Sequence, residues 1–247
     1  MVTIISECEV CMKLARPDIF HPRIVLAVDS RRGHHESAHK SAAAEGDAGL
    51  VAALRHRGLH ARLLAWDDPE TLEADLVILR TAGDPARHAE FLAWTTRVAH
   101  LLNPPEAVAW NANRRYLADL QCDGVPTAAG GRPDELSTLV FFGAGRSHAF
   151  GAAGSDPDFE LWDVGRWALR AAAERLSIRI EELLYARADV AGTAADARLV
   201  SLDLIAPDLG WHELASEERD RAQRRFAVEV AAALERLGLG PLAQRRP

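Results

Sequence analysis

The stretch Arg23-Ile24-Val25-Leu26-Ala27-Val28-Asp29 decides the fold, together with Ala61-Arg62-Leu63-Leu64-Ala65-Trp66 and Ala74-Asp75-Leu76-Val77-Ile78-Leu79-Arg80 that follow it. Each is an apolar run of buried-strand length. Between the first two, Asp47 is placed to cap a helix through Arg57, with Leu50, Val51 and Leu54 on its apolar face and Gly58 ending it. Asp84-Pro85 then predicts a long helix to about Leu102, stopped by Asn103-Pro104-Pro105. A short strand is expected around Val108-Ala109-Trp110, and a helix from Asn111 to Cys122. Strands alternating with helices imply an α/β unit with an open, mostly parallel sheet. In such sheets ligands sit beyond the carboxyl ends of the strands, here after Asp29, at the Arg80–Asp84 turn and at the Trp110–Asn113 turn.

After Pro126 the pattern changes. Leu139–Phe142 and Arg146–Phe150 read as a hairpin around Gly143-Ala144-Gly145, a helix runs from Asp163 to about Leu176, and strands follow at Leu183–Val190 and Arg198–Ile205. A last helix spans about Ala215 to Leu237. This half is α+β. The expected organisation is an extension over 1–22, an α/β domain over 23–126 and an α+β domain over 127–247.

Outside these segments the composition narrows the function. The 247 residues are 48% hydrophobic and 26% charged, an ordinary globular balance, and no apolar run reaches bilayer length. A net charge of −7 disfavours general nucleic-acid or anionic-membrane binding. Cys8, Cys11 and Cys122 give no disulfide framework, and the expected compartment is a cytoplasmic, reducing one. Only Lys13 and Lys40 are lysines; every other basic residue of the 29 is arginine. Lysine chemistry beyond position 40 is excluded.

Several motifs resemble the ATP-grasp ligases. They are Ala65-Trp66-Asp67-Asp68-Pro69, Asp75–Arg80, Phe91-Leu92-Ala93-Trp94, Leu101-Leu102-Asn103-Pro104, Trp110-Asn111-Ala112-Asn113-Arg114-Arg115-Tyr116-Leu117 and Gly124-Val125-Pro126. Leu139–Phe142, Ser147-His148-Ala149, Tyr185–Val190 and Asp203-Leu204-Ile205-Ala206-Pro207 continue the match. The chain looks most like the branch containing the cyclo-ligase of D-cycloserine biosynthesis, from Arg23 to about Gly210. The resemblance implies a Rossmann-like pre-ATP-grasp domain followed by a remnant of the ATP-grasp domain. It also implies that Arg187 faces a phosphate while Asp189 and Asp203 hold metal.

The departures carry equal weight. In the family a subdomain follows Gly-Val-Pro and clamps ATP with a lysine and a glycine-rich loop. Here only the twelve residues Thr127–Thr138 precede Leu139, and none is lysine. Arg114 occupies the family's other lysine position, where a planar fork does not replace a compact charge. Ser201 and Ala206 stand at acidic positions, and Glu160 stands where an arginine is usual. No ATP is expected. At 247 residues, extension included, the chain is also too short to hold a complete ligase of this kind.

The residual constellation is Arg80, Arg114, His148, Arg187, Asp189 and Asp203, with Trp110 and Asn111 at its edge. The arginines suit a carboxylate, and His148 suits general acid–base work. The same residues also suit inherited structural ion pairs. Trp211 and His212 are further candidates beside the crevice.

A second constellation is foreign to the family. His35-Glu36-Ser37-Ala38-His39 matches H-E-x-x-H, and with Cys8-x-x-Cys11 it forms a Cys2His2 set for tetrahedral zinc. Its flanks are those of a solvated polar loop, which is the competing reading. Cys11 to Arg23 can stretch about 40 Å, enough to pass a strand of about 20 Å and bring the two pairs together. Four protein ligands favour structural zinc; if one cysteine stays out, Glu36 becomes a general base on zinc-bound water.

The expected function is an ATP-independent enzyme acting on a small amino-acid-derived or peptide-like metabolite. Hydrolysis, cyclisation or condensation at a carboxyl or amide centre, in specialised-metabolite biosynthesis, are the reaction classes. A non-catalytic pseudo-ligase that binds a partner or carrier protein, and an ATP-dependent ligase with a rearranged site, are the alternatives. A homodimer or partner complex is expected where a covering domain is missing.

Overall fold

The computed structural model describes residues 21–29, 38–128, 136–151 and 156–240, with the side chains of the first helix described from Gly46 onward. Strands β1 (Arg23–Val28), β2 (His60–Ala65), β3 (Leu76–Leu79) and β4 (Leu101–Leu102) form a parallel sheet in the order β2-β1-β3-β4. Strands β5 (Leu136–Phe142), β6 (Gly145–Gly151), β7 (Tyr185–Ala191) and β8 (Arg198–Asp203) form an antiparallel sheet in the order β6-β5-β7-β8. Helices α1 (Ala38–His56), α2 (His88–Thr95), α3 (Pro105–Asn111), α4 (Tyr116–Cys122), α5 (Phe159–Arg175) and α6 (Ser216–Arg236) cover them. The α/β plus α+β reading stands. No helix among the described residues is long and apolar enough to cross a membrane.

Both faces of the parallel sheet are buried, which is why β1 and β3 read as unbroken apolar runs. Val25, Ala27, Val77 and Leu79 pack on one side with Trp66, Phe91 and Trp94. Ile24, Leu26, Leu76 and Ile78 pack on the other with α1, α6 and the inner face of the antiparallel sheet, through Val140, Phe142 and Tyr185. The two sheets therefore share one core. Alternate residues of the second sheet, Leu139, Phe141, Ala186 and Ala188, point outward onto α5. Helix α1 lies close to its neighbours because it carries glycines: a Cβ on Gly46 would fall 2.0 Å from Trp211, and one on Gly49 2.3 Å from Gln223.

Four local expectations are corrected. Helix α1 begins at Ala38, so Asp47 lies inside it and is no cap. The segment predicted as one helix from Asp84 to Leu102 is a 3₁₀ turn, Pro85–Arg87, then α2, which ends at Thr95. There the Thr95 and Thr96 hydroxyls donate to the carbonyls of Leu92 and Ala93, a local bond that competes with helix continuation, and Leu101-Leu102 pairs with β3. The predicted strand around Val108 is helical, because Pro105 occupies the first turn, where a missing N–H costs nothing. The helix expected from Asn111 starts at Tyr116, delayed by an Asn113 side chain that accepts from the Arg115 N–H.

Candidate active site

The site is built from the inward face of the antiparallel sheet. On β7 the side chains alternate, so Tyr185, Arg187 and Asp189 share that face while Ala186, Ala188 and Val190 point to α5. Register places Arg187 opposite Asp203 and Asp189 opposite Ser201 on β8, and Thr138 opposite Asp189 on β5. The Asp189 carboxylate is filled by these neighbours. Its Oδ1 accepts from Arg187 Nε at 2.9 Å and from Thr138 Oγ1 at 2.9 Å; its Oδ2 accepts from Ser201 Oγ at 2.7 Å and Arg187 Nη2 at 3.3 Å. Four donors leave little for a ligand. The Arg187 guanidinium also lies 5.7 Å from the Phe150 ring.

Asp203 ends β8 and is held differently. Its Oδ1 accepts the backbone N–H groups of Ile205 at 2.9 Å and Ala206 at 3.3 Å. Its Oδ2 accepts from none of the described residues. The backbone on either side is gripped by the first half of the chain: Tyr116 Oη accepts the Leu202 N–H at 3.1 Å, and Asn111 Oδ1 accepts the Leu204 N–H at 2.8 Å. Asn111 Nδ2 donates to the Leu202 carbonyl at 3.0 Å. Burial holds the Asp203 carboxyl above the ordinary carboxylate range, although the Ile205 and Ala206 N–H groups and the guanidinium groups of Arg187 and Arg80 pull the other way. Burial likewise raises the Tyr116 hydroxyl.

Between this wall and the α3–α4 segment lies a crevice of about 820 Å³, lined by Asn111, Arg114, Tyr116, Arg187, Asp189, Ser201 and Asp203 with Ala82 beyond the end of β3. It therefore lies where a doubly wound sheet places ligands. Arg114 is exposed on its rim, and its guanidinium makes no hydrogen bond or ion pair with the described residues.

Five of the expected residues, Asn111, Arg114, Arg187, Asp189 and Asp203, thus come together; three do not. Arg80 is buried away from the crevice, donating from Nε to Asp47 at 2.8 Å and from Nη1 to the Pro207 carbonyl at 3.1 Å. Trp110 donates to Asp119 at 2.9 Å and packs on Tyr116. His148, opposite Val140 on the edge strand, is buried beneath Phe142, Phe150 and Trp211. Its Nε2 lies 2.7 Å from the Leu209 carbonyl oxygen and its Nδ1 2.9 Å from Ser147 Oγ, so both ring nitrogens are engaged. Burial lowers its pKa despite the Leu209 carbonyl. It is a buried histidine and does not line the crevice. His212 lies 3.7 Å from Glu213 and Trp211 is buried against α1, neither at the crevice.

Sequence reading missed Tyr116, whose helical position gives no hint that its hydroxyl meets β8. It also missed Asn103, which is fully buried: Nδ2 donates to the carbonyls of Tyr185 and Leu204, and Oδ1 accepts the Leu184 N–H. Cys8, Cys11, His35 and Glu36 lie outside the described residues; His39 falls in the first turn of α1 with its side chain outside them. Among the described residues no three His, Cys, Asp or Glu side chains converge as metal ligands.

The family's magnesium–ATP chemistry has a direct test in these donors. Magnesium takes oxygens in octahedral array, with one or two carboxylates and the nucleotide's phosphates. Asp189 is occupied by four donors, Oδ1 of Asp203 by two N–H groups, and the adjacent positions are Ser201 and Ala206. One free carboxylate oxygen and, among the described residues, no lysine on the crevice do not fit the group.

Comparison with known proteins places this architecture. Residues 24–103 match the family described as D-cycloserine synthetase DcsG, N-terminal domain. The chain is 34% identical over 147 residues to the cycloserine biosynthesis protein DcsG of Streptomyces lavendulae, covering 55% of this chain and 48% of that protein. It thus spans about half the length of the curated relative it matches. The crystal structure of D-cycloserine synthetase DcsG superposes with a TM-score of 0.66 at 20% identity, covering 86% of this chain and 99% of that one. D-alanine–D-alanine ligase from Bacillus anthracis complexed with ATP gives 0.58 at 10% identity, covering 87% and 98%. The chain shares the fold of these ATP-grasp ligases and resembles the D-cycloserine-type cyclo-ligase branch, with twelve residues between Pro126 and Leu139.

Proposed function

We propose that the crevice binds a small amino-acid-derived or peptide-like metabolite and acts on its carboxyl or amide centre without ATP, in specialised-metabolite biosynthesis. One observation carries the reading: Asp189, Ser201 and Thr138 are spent on one another and on Arg187 Nε and Nη2, while the Arg114 guanidinium and Asp203 Oδ2 on the same crevice have no hydrogen-bond partner among the described residues. A guanidinium on the rim suits a carboxylate, and a carboxyl group on the wall suits an amine or amide N–H. Hydrolysis, cyclisation and condensation remain the reaction classes. Isothermal titration is the test. Amino-acid-like carboxylates should bind with loss in Arg114→Ala, and magnesium–ATP should give no binding heat; micromolar magnesium–ATP binding overturns the reading.

Zinc at Cys8, Cys11, His35 and His39 belongs to the same proposal, supported by the ligand types and their spacing. Metal analysis of the purified protein and of Cys8→Ser and His39→Ala variants tests it, and metal-free protein in every preparation sinks it. A pseudo-ligase that binds a partner protein or a second copy is favoured by two exposed aromatics on α5, Phe159 at 60% and Trp167 at 48%. Catalytic turnover lost in an Asp203 variant would decide against it.

A further inference from the structure

Tyr116, Asp203 and Arg114 retain unsatisfied donors or acceptors on the crevice, and Tyr116 is bonded to the residue that precedes Asp203. Tyr116 Oη accepts the N–H of Leu202, the residue before Asp203, so its own proton has no acceptor among the described residues. Asp203 Oδ1 is pinned by two N–H groups, which leaves Oδ2 to the crevice that it lines. The Leu202 and Leu204 backbone is tied to Asn111, so neither group needs to reorganise to meet a ligand. Arg114 stands on the same crevice.

We infer that Asp203 and Tyr116 form an acyl-transfer pair, with Asp203 Oδ2 as the base and Tyr116 as donor to the acyl oxygen of a substrate that arrives as an ester or thioester bearing a carboxylate for Arg114. This rests on the ATP-free reading above. Without phosphoryl transfer a free carboxylate cannot be activated in this crevice, so an earlier esterifying or thioesterifying reaction must supply the acyl group.

In the step, an amine nitrogen or water oxygen bonds to the acyl carbon and passes its proton to Asp203 Oδ2. The Tyr116 hydroxyl donates to the oxygen that gains negative charge. The acyl C–O or C–S bond then breaks, and the same proton goes to the departing oxygen or sulfur. Ester plus amine gives amide plus alcohol, or ester plus water gives acid plus alcohol. No oxidant, reductant or phosphate enters. A carboxylate held above its ordinary range is the better base for this transfer.

The probes are para-nitrophenyl hydrogen succinate, which carries a carboxylate, and para-nitrophenyl acetate, which does not, with the full chain and no ATP. The expected result is saturable release of para-nitrophenolate with preference for the succinate ester. Asp203→Asn, which retains an Oδ1 acceptor for Ile205 and Ala206, should lower kcat/KM roughly 100-fold or more. Its melting temperature checks that it folds. Tyr116→Phe should cost roughly 100-fold, and Arg114→Ala should abolish the preference for the succinate ester over the acetate. The wild-type kcat/KM should rise with pH along a limb lying above the ordinary carboxylate range, absent in Asp203→Asn. Equal turnover by Asp203→Asn, or no turnover of either ester, overturns the acyl-transfer assignment. In the latter case, succinate binding that disappears in Arg114→Ala leaves the crevice a ligand site, whereas no binding overturns both readings.

Discussion

Arg80 and Arg114 stand at two ends of the same molecule's polar chemistry. Arg80 leaves the end of β3, is almost fully enclosed, and spends its donors on Asp47 and the Pro207 carbonyl. Arg114 leaves the turn before α4 and offers its donors to the crevice. Around Arg80 gathers a clasp. Asn103 makes three bonds, to Leu184 just before β7, to Tyr185 on β7 and to Leu204 after β8, and the Tyr185 hydroxyl lies 2.6 Å from the Leu79 carbonyl oxygen and 2.8 Å from that of Ile205. Around Arg114 gathers a site. Two sets of residues of the same types thus divide between holding the halves together and leaving a face open to a ligand.

That division predicts opposite phenotypes. Arg80→Met removes the guanidinium that the buried Asp47 faces and should cost about 3–5 kcal/mol in denaturant unfolding. A loss below about 1 kcal/mol would move Arg80 out of the clasp. Asn103→Ala strips three buried hydrogen bonds and leaves the Leu184 N–H without its acceptor, a cost of about 2–4 kcal/mol by the same measurement. Tyr185→Phe should cost about 1–2 kcal/mol, since the ring remains and only the hydroxyl is lost.

His148 supplies a smaller, pH-dependent effect. Its folded pKa is depressed, so the unfolded chain binds the proton more readily; stability is full above about pH 6.5 and falls as pH drops below it. His148→Gln should flatten that slope in melts at pH 7.5 and 5.5, and an unchanged slope would assign it to other groups. At the open face the effect reverses. The Asp203 pKa is raised, so the folded state binds its proton more tightly and loses stability as pH rises through the carboxylate range. Asp203→Asn should therefore raise the melting temperature at neutral pH, with the gain shrinking toward acid, even as it removes turnover. Arg114→Ala should leave stability within about 0.5 kcal/mol.

The contrast also explains what the sequence could disclose. The buried strands β1 and β3 are legible because both faces are covered and every residue is apolar. Arg187 and Asp189 are legible as a pair on one face because strand periodicity is local. Local rules do not reach the partners of Asn103 and Asn111, which lie 81–101 and 91–93 residues away. Arg80 and Arg114 look alike in a chain whose basic residues are nearly all arginine; only tertiary contacts distinguish the enclosed one. His148 misled for a related reason. Periodicity puts it on the same sheet face as Arg187, but that face is covered by Trp211 at one end and open at the other.

The grip of Asn111 and Tyr116 on the backbone around Asp203 has a kinetic meaning. The residues that join the two halves are the same ones that aim Asp203, so the halves cannot swing apart on a hinge and leave the site assembled. On the proposed acyl transfer, substrate enters and product leaves through the opening of the crevice while these bonds hold the described halves together. Under that proposal an amine acceptor competes directly with solvent for the acyl group, and the ratio of amide to acid product becomes a property of how the opening is filled.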